Sequence, residues 1–284
     1  MPRRRQVTAR QERLGIELRK LRETAGLKAR EAATLVGSDS AQMSQMESGT
    51  AGVSEERVRS LAAYYSCEDR ELIDALVAMA TDRTPGWWEE YRGLLPTSFL
   101  DLSELEHHAT YRWDVDFLHV PGLLQTEDYA RALLRIGFPQ GTEEEIQRRV
   151  ALRMERQELL SRPDGPHLWA VMDETVLRLH IGGPKVMRAQ IDRLVEATQM
   201  PNVTLQVVPF AAGPHPGMGG PFQLFRFQIP ELPDIVYAEG LTGAGYLDQR
   251  TDVVAYLEAL DRMGTQATPA RRTENFLREI RKEL

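Results

Sequence analysis

The sequence predicts a mainly α chain with an α+β part: an N-terminal five-helix domain, then a C-terminal domain of helices around a small sheet. Three observations predict this. Through residues 14–79 apolar side chains recur at three- and four-residue spacing, broken by single glycines. After residue 167 the period shortens to two, in runs rich in β-branched and aromatic residues. Between the two regimes, Thr81-Asp-Arg-Thr-Pro-Gly86 has the composition of a linker. The expected organisation is a helical domain over 10–80, a linker and connecting helix over 81–112, and an α+β domain over 113–284.

Leu14, Leu18 and Leu21 mark the first helix, and Gly26 ends it. Lys28 to Val36 forms a second, whose Ala29, Ala32, Ala33 and Val36 share one side and leave room for a close helix crossing. Gly37 breaks the chain, and Asp39 has the carboxylate to cap a third helix. In that helix Met43 and Met46 point inward, while Ser40, Ala41, Ser44 and Gln45 point outward. A fourth helix starts near Ser54, with Val58, Leu61, Ala62 and Tyr65 in register. Leu72, Leu76 and Met79 mark a fifth.

Further along, Ser103 with Glu106 has the spacing of a capping box, as does Thr142 with Glu145. Thr126 is expected to cap a helix over Tyr129–Ile136. Strands are expected at HLWAVMD (167–173), VTLQVVP (203–209), FQLFRF (222–227) and DIVYAEG (234–240). A helix from Pro184 to Thr198 separates the first two strands, and two more helices close the chain.

The net charge of −7 is unevenly spread. Residues 1–36 carry ten Arg and Lys against four Glu, a balance of +6, which leaves −13 for the remainder. One end suits a polyanion and the rest does not. Cys67 is the only cysteine, which excludes an internal disulfide and a cysteine-rich zinc site. A reducing cytoplasm is the expected compartment. No apolar run approaches the roughly 18–20 residues a membrane helix needs. The basic opening MPRRRQVTARQER lacks a following apolar stretch and is not expected to be a secretory signal.

Five short helices with a glycine-containing turn between the second and third spell helix-turn-helix. Residues 14–65 resemble the Xre family of Cro/CI-type repressor domains, through LRKLRETAGL (18–27), REAATLVG (30–37), SQMESG (44–49) and VSEERVRSLAAYY (53–65). The resemblance implies that the third helix enters the major groove of double-stranded DNA and that Ser40, Ala41, Ser44 and Gln45 meet base edges. It also implies a pairing of Arg22 with Glu47. Neutral side chains suit that task, because glutamine can bond adenine bidentately and a small alanine can meet a thymine methyl. Positive charge belongs to the phosphates, for which Arg3, Arg4, Arg5, Arg10, Lys28 and Arg30 are candidates, with the backbone around Thr50 supplying uncharged donors.

The second half is similar to the C-terminal domain of actinobacterial, antitoxin-like (WhiJ-like) regulators. Its matching segments include VPGLLQTEDYARALL (120–134), VMDETVLRLHIGGPKVM (171–187) and DIVYAEGLTGAGYL (234–247). The resemblance associates the domain with small partner proteins. The first reading is a homodimeric transcription regulator whose C-terminal domain responds to a small protein partner or ligand. It binds a pseudo-palindromic operator, where a dyad lets two copies read two half-sites. A second reading is an antitoxin-like module that neutralises its partner directly, with DNA binding for autoregulation. A third is a small-molecule sensor, with Trp169, Phe222, Phe225 and Tyr237 as pocket walls.

Asp173, Glu174, His180, His215 and Glu239 are the residues a catalytic reading would gather, but no metalloprotease, nucleophile-elbow or phosphate-loop motif accompanies them. No catalysis, metal or cofactor is expected. The loop PFAAGPHPGMGGP (209–221), with four prolines and four glycines, is long for a hairpin connection. His215 and Met218 are its candidates for a ligand or partner surface, joined by Tyr237 and Glu239 from the second strand beyond it.

Overall fold

Two glycines end helices by the same device. A computed structural model of the chain describes residues 9–81, 86–227, 234–240 and 243–284. Helix α1 (Ala9–Thr24) closes with the Leu27 N–H on the Arg22 carbonyl and the Gly26 N–H on that of Glu23. Helix α2 (Ala29–Leu35) closes with Ser38 on Ala33 and Gly37 on Thr34. Both closures need a left-handed residue, and Gly26 and Gly37 take φ of 71° and 62°.

Asp39 then caps α3 (Ser40–Glu47), accepting from the Gln42 N–H at 2.7 Å. Ser54 caps α4 (Glu55–Tyr64) in the same way, accepting from Arg57 at 3.2 Å. With α5 (Arg70–Thr81) these helices surround a core of Leu14, Leu18, Met43, Met46, Val58, Leu61 and Leu76. Ala32 and Ala33 are buried, so α2 lies close against α3.

The chain divides into two compact units, the first running to Leu105 and the second starting at Glu106. Helix α6 (Thr97–His108) corrects one expectation. It starts six residues before Ser103, so Ser103 and Glu106 do not open it. The Ser103 hydroxyl donates instead to the Phe99 carbonyl one turn back, at 2.8 Å. The spacing that marks a capping box also joins neighbours within a helix, and only the helix start tells them apart.

The second unit is built on six strands, two more than expected. They are β1 (Ala109–Asp116), β2 (His167–Asp173), β3 (Val203–Val208), β4 (Phe222–Phe227), β5 (Ile235–Gly240) and β6 (Gly243–Leu247), in the order β3-β2-β1-β4-β5-β6. β1, β2 and β3 are parallel, and β4 to β6 add antiparallel neighbours. β1 runs across the expected 112/113 boundary. Its odd-numbered face is apolar and its even-numbered face is Arg112, Asp114 and Asp116, all buried.

Helices α7 (Glu127–Gly137), α8 (Glu143–Gln157), α9 (Glu174–Arg178) and α10 (Pro184–Ala197) connect the parallel strands, and α11 (Arg250–Gln266) and α12 (Ala270–Glu283) close the chain. Thr126 caps α7, and Thr142 with Glu145 forms the capping box of α8. On one sheet face Trp113, Val115, Val171, Leu224 and Val236 pack with Leu260 and Met263 of α11. On the other, Leu168, Ala170, Met172 and Leu205 pack with Ile191 of α10 and Leu277 of α12. No described helix is long and apolar enough to cross a membrane.

Candidate nucleic-acid interface

The interface is built around α3, whose two sides are kept apart by local chemistry. Met43 and Met46 are 1% and 3% exposed and anchor the helix in the core. Where α1 crosses it, Gly15 is the residue that fits, because a Cβ there would stand 2.6 Å from the Glu47 carbonyl oxygen. At the same crossing the Arg22 guanidinium donates to both Glu47 carboxylate oxygens, at 2.6 and 3.0 Å, and to the Leu27 carbonyl at 2.7 Å. Both partners are buried, and the hydrogen bond to Glu47 holds the Arg22 pKa above its usual value. Burial, and then the Glu47 charge, push the nearby Tyr65 hydroxyl up to about 12.

The outer side of α3 is different. Ser40, Ala41, Ser44 and Gln45 are all exposed. Among the described residues, the side chains of Ser40, Ser44 and Gln45 take no hydrogen-bond partner, so their donors and acceptors are free for a ligand. Gln42, which the sequence reading did not single out, is also exposed but accepts from the Ser38 hydroxyl and ties the turn to the helix. Its signal was the i, i+4 spacing of two polar residues across the helix start. At the other end, the Thr50 hydroxyl donates to the Gln45 carbonyl at 3.1 Å and meets Ser48 at 3.0 Å, which closes α3.

The candidate phosphate residues separate into groups. Lys28 and Arg30 are exposed at the start of α2, where the Lys28 N–H is held by Glu31 at 2.7 Å. Arg10 is half-buried and donates to the Ala78 carbonyl at 2.8 Å, so part of its fork serves the last turn of α5. Arg3, Arg4 and Arg5 lie outside the described residues.

A family model described as a helix-turn-helix domain matches residues 13–76. A second, described as a domain of unknown function (DUF5753), matches residues 99–279, more than half of the chain. The chain belongs to the DUF5753 family. Comparison with curated proteins and with solved structures gave no match. This DUF5753 chain thus joins a helix-turn-helix domain, which supports a DNA-binding regulator, to a C-terminal domain whose family description names no function.

In the C-terminal unit the four candidate loop residues do not come together. His215 is buried, with Nε2 3.1 Å from an Asp173 carboxylate oxygen, and Gly217 packs on Met263 of α11. Glu174 accepts from the Phe210 N–H at 2.9 Å and pins the start of the loop. Met218 remains 66% exposed. Tyr237 donates to Glu239 at 2.6 Å on β5. Their neighbour Val236 packs on the α11 side of the sheet, so alternation turns Tyr237 and Glu239 to the opposite face. The same alternation corrects the expected pocket walls. Trp169 and Phe222 pack toward α11, whereas Phe225 and Tyr237 lie on the other face, so the four cannot line one pocket.

Proposed function

We propose that this chain is a sequence-specific transcription regulator of the Xre type, acting by binding and not by catalysis. The outer side of α3 reads base edges in the major groove, with Ser40, Ala41, Ser44 and Gln45 as the reading set. The observation that carries this reading is the unspent hydrogen-bonding capacity of Ser40, Ser44 and Gln45, on a helix locked in place by Met43, Met46 and the Arg22–Glu47 pair. Lys28 and Arg30, with the basic residues Arg3, Arg4 and Arg5, supply phosphate contacts that position the domain without reading sequence. The protein works in the cytoplasm as a homodimer on a pseudo-palindromic operator, since a dyad places two copies of α3 one helical turn apart on the duplex. The acidic C-terminal domain supplies dimerisation and responds to a small protein partner.

The test is genome-wide selection of bound DNA fragments with full-length protein at a stated salt concentration. Recovery of a motif with dyad symmetry is the expected result. Weak, salt-sensitive binding without a motif would overturn the reading, because phosphate contacts alone produce that behaviour.

A further inference from the structure

Along one row of the sheet the residues in register are Leu205, Ala170, Asp114, Gln223, Tyr237 and Tyr246, from β3 at one edge to β6 at the other. The β3 end of the row is apolar and packs under α10 and α12. The other end is polar, and its groups are unequally satisfied. Both Asp114 carboxylate oxygens accept from Arg112, at 2.6 and 2.8 Å. Tyr237 is committed to Glu239. Gln223 lies between Asp114 and Tyr237, and its buried Oε1 has no hydrogen-bond partner among the described residues.

Helix α8 repeats the contrast. Arg156 is neutralised by Glu106, which also accepts from Arg112. One turn earlier, Arg153 donates to the neutral Oε1 of Gln125 at 2.8 Å, and no described carboxylate lies within ion-pair distance of it. Gln125 is itself fixed, donating to the Val120 carbonyl at 2.6 Å. Burial first, and then the nearby Arg156 charge, depress the Arg153 guanidinium to about 10. Glu239 acts on it only from a distance, as it does on His119, whose ring is held by Asp116 at 2.8 Å.

A half-buried cation with only a neutral partner and an orphan acceptor both oppose folding, and native proteins rarely retain either without a use. We propose that this polar end of the sheet is a binding site for a small anionic molecule that also carries an N–H or O–H donor. Arg153 takes the anionic group and the Gln223 carbonyl takes the donor. Tyr237 and Tyr246, with ring centroids 5.0 Å apart, form the wall beside them. Entry is from the β6 edge, where Tyr246 and Glu239 are exposed. A simple halide satisfies Arg153 but leaves Gln223 unpaired, which is why the ligand needs both functions. The site does not depend on the DNA-binding reading.

The experiment measures the thermal unfolding midpoint of the full-length protein with chloride, acetate, glycolate and inorganic phosphate at matched ionic strength. Bound ligand raises the midpoint in proportion to occupancy. Glycolate, which has a carboxylate and a hydroxyl, is expected to bind roughly tenfold more tightly than acetate, the usual worth of one added hydrogen bond. Chloride, which meets Arg153 alone and without a second hydrogen bond, sets the baseline response. A larger response to phosphate than to either carboxylate supports the site and assigns a phosphorylated ligand. Arg153→Met should abolish the responses, and Gln223→Met should reduce glycolate to the level of acetate. Should Arg153→Met fail to fold, the Gln223 side-chain amide resonance of the parent protein is expected to shift with glycolate and not with chloride. No response beyond chloride from any probe, an undiminished response in Arg153→Met, or an unmoved Gln223 resonance would each overturn the proposal.

Discussion

Arg22 and Glu47 join α1 to α3 through two parallel hydrogen bonds, from positions 25 residues apart. Both side chains are buried, so neither charge can be rehydrated if the other is removed. Glu47→Leu is therefore expected to destabilise the helix-turn-helix unit by about 3–5 kcal/mol. The double variant Arg22→Met/Glu47→Leu should recover most of that loss, because matched apolar groups leave no stranded charge. Chemical denaturation of the four proteins of the cycle measures the coupling. Additive effects would show that the pair contributes nothing as a pair.

The outer and inner sides of α3 should respond differently to substitution. Gln45→Ala is expected to relax preference at one operator position, costing about 1–3 kcal/mol there, while binding to random DNA stays unchanged. Arg30→Ala should weaken operator and random DNA alike and lower the salt slope by about one. Titrations on both DNAs at several salt concentrations separate the two. Equal losses on both DNAs for Gln45→Ala would remove that residue from the reading set.

Gly15→Ala tests the α1–α3 crossing. The added methyl meets backbone carbonyls of Met46 and Glu47 at under 3 Å, and backbone has less freedom to yield than a flexible side chain. A loss of about 1–3 kcal/mol is expected, typical of overpacking. Operator affinity should fall as well, because the clash falls at the end of α3. Thermal unfolding and operator binding measured together check both parts.

Stability of the C-terminal unit should depend on pH through His119. Burial lowers its pKa most, but the hydrogen bond to Asp116, the Asp116 charge and the charge of Glu239 together outweigh burial and leave it raised. A group whose pKa is raised by folding contributes stability that is fully present below its unfolded value, about 6.5. That contribution is lost as pH rises through the higher folded value. His119→Gln should flatten this part of the profile. Unfolding followed at closely spaced pH values gives the comparison, and an unchanged slope in the variant would assign the dependence to another group.

Periodicity, glycine breaks and capping residues determined the five N-terminal helices, because those signals are local and act on the backbone within one turn. They also marked the outward side of α3, since burial of Met43 and Met46 leaves Ser40, Ala41, Ser44 and Gln45 no other direction. Four strands were legible for the same reason. β1 was not, because its alternation of Arg112, Asp114 and Asp116 reads as a solvent face, and its burial is tolerable because Arg112 donates to Asp114 on the strand and to Glu106 from α6. β6 was not, because Gly243, Ala244 and Gly245 carry no strand preference and pair only where β5 offers an edge. Ser103 and Glu106 show the same limit, since their spacing fits a helix start as well as a helix interior. Tertiary structure alone decided which buried polar groups are paired and which, like the Gln223 carbonyl, are left open. Pairing depends on residues distant in sequence meeting across the sheet, and no local pattern encodes that.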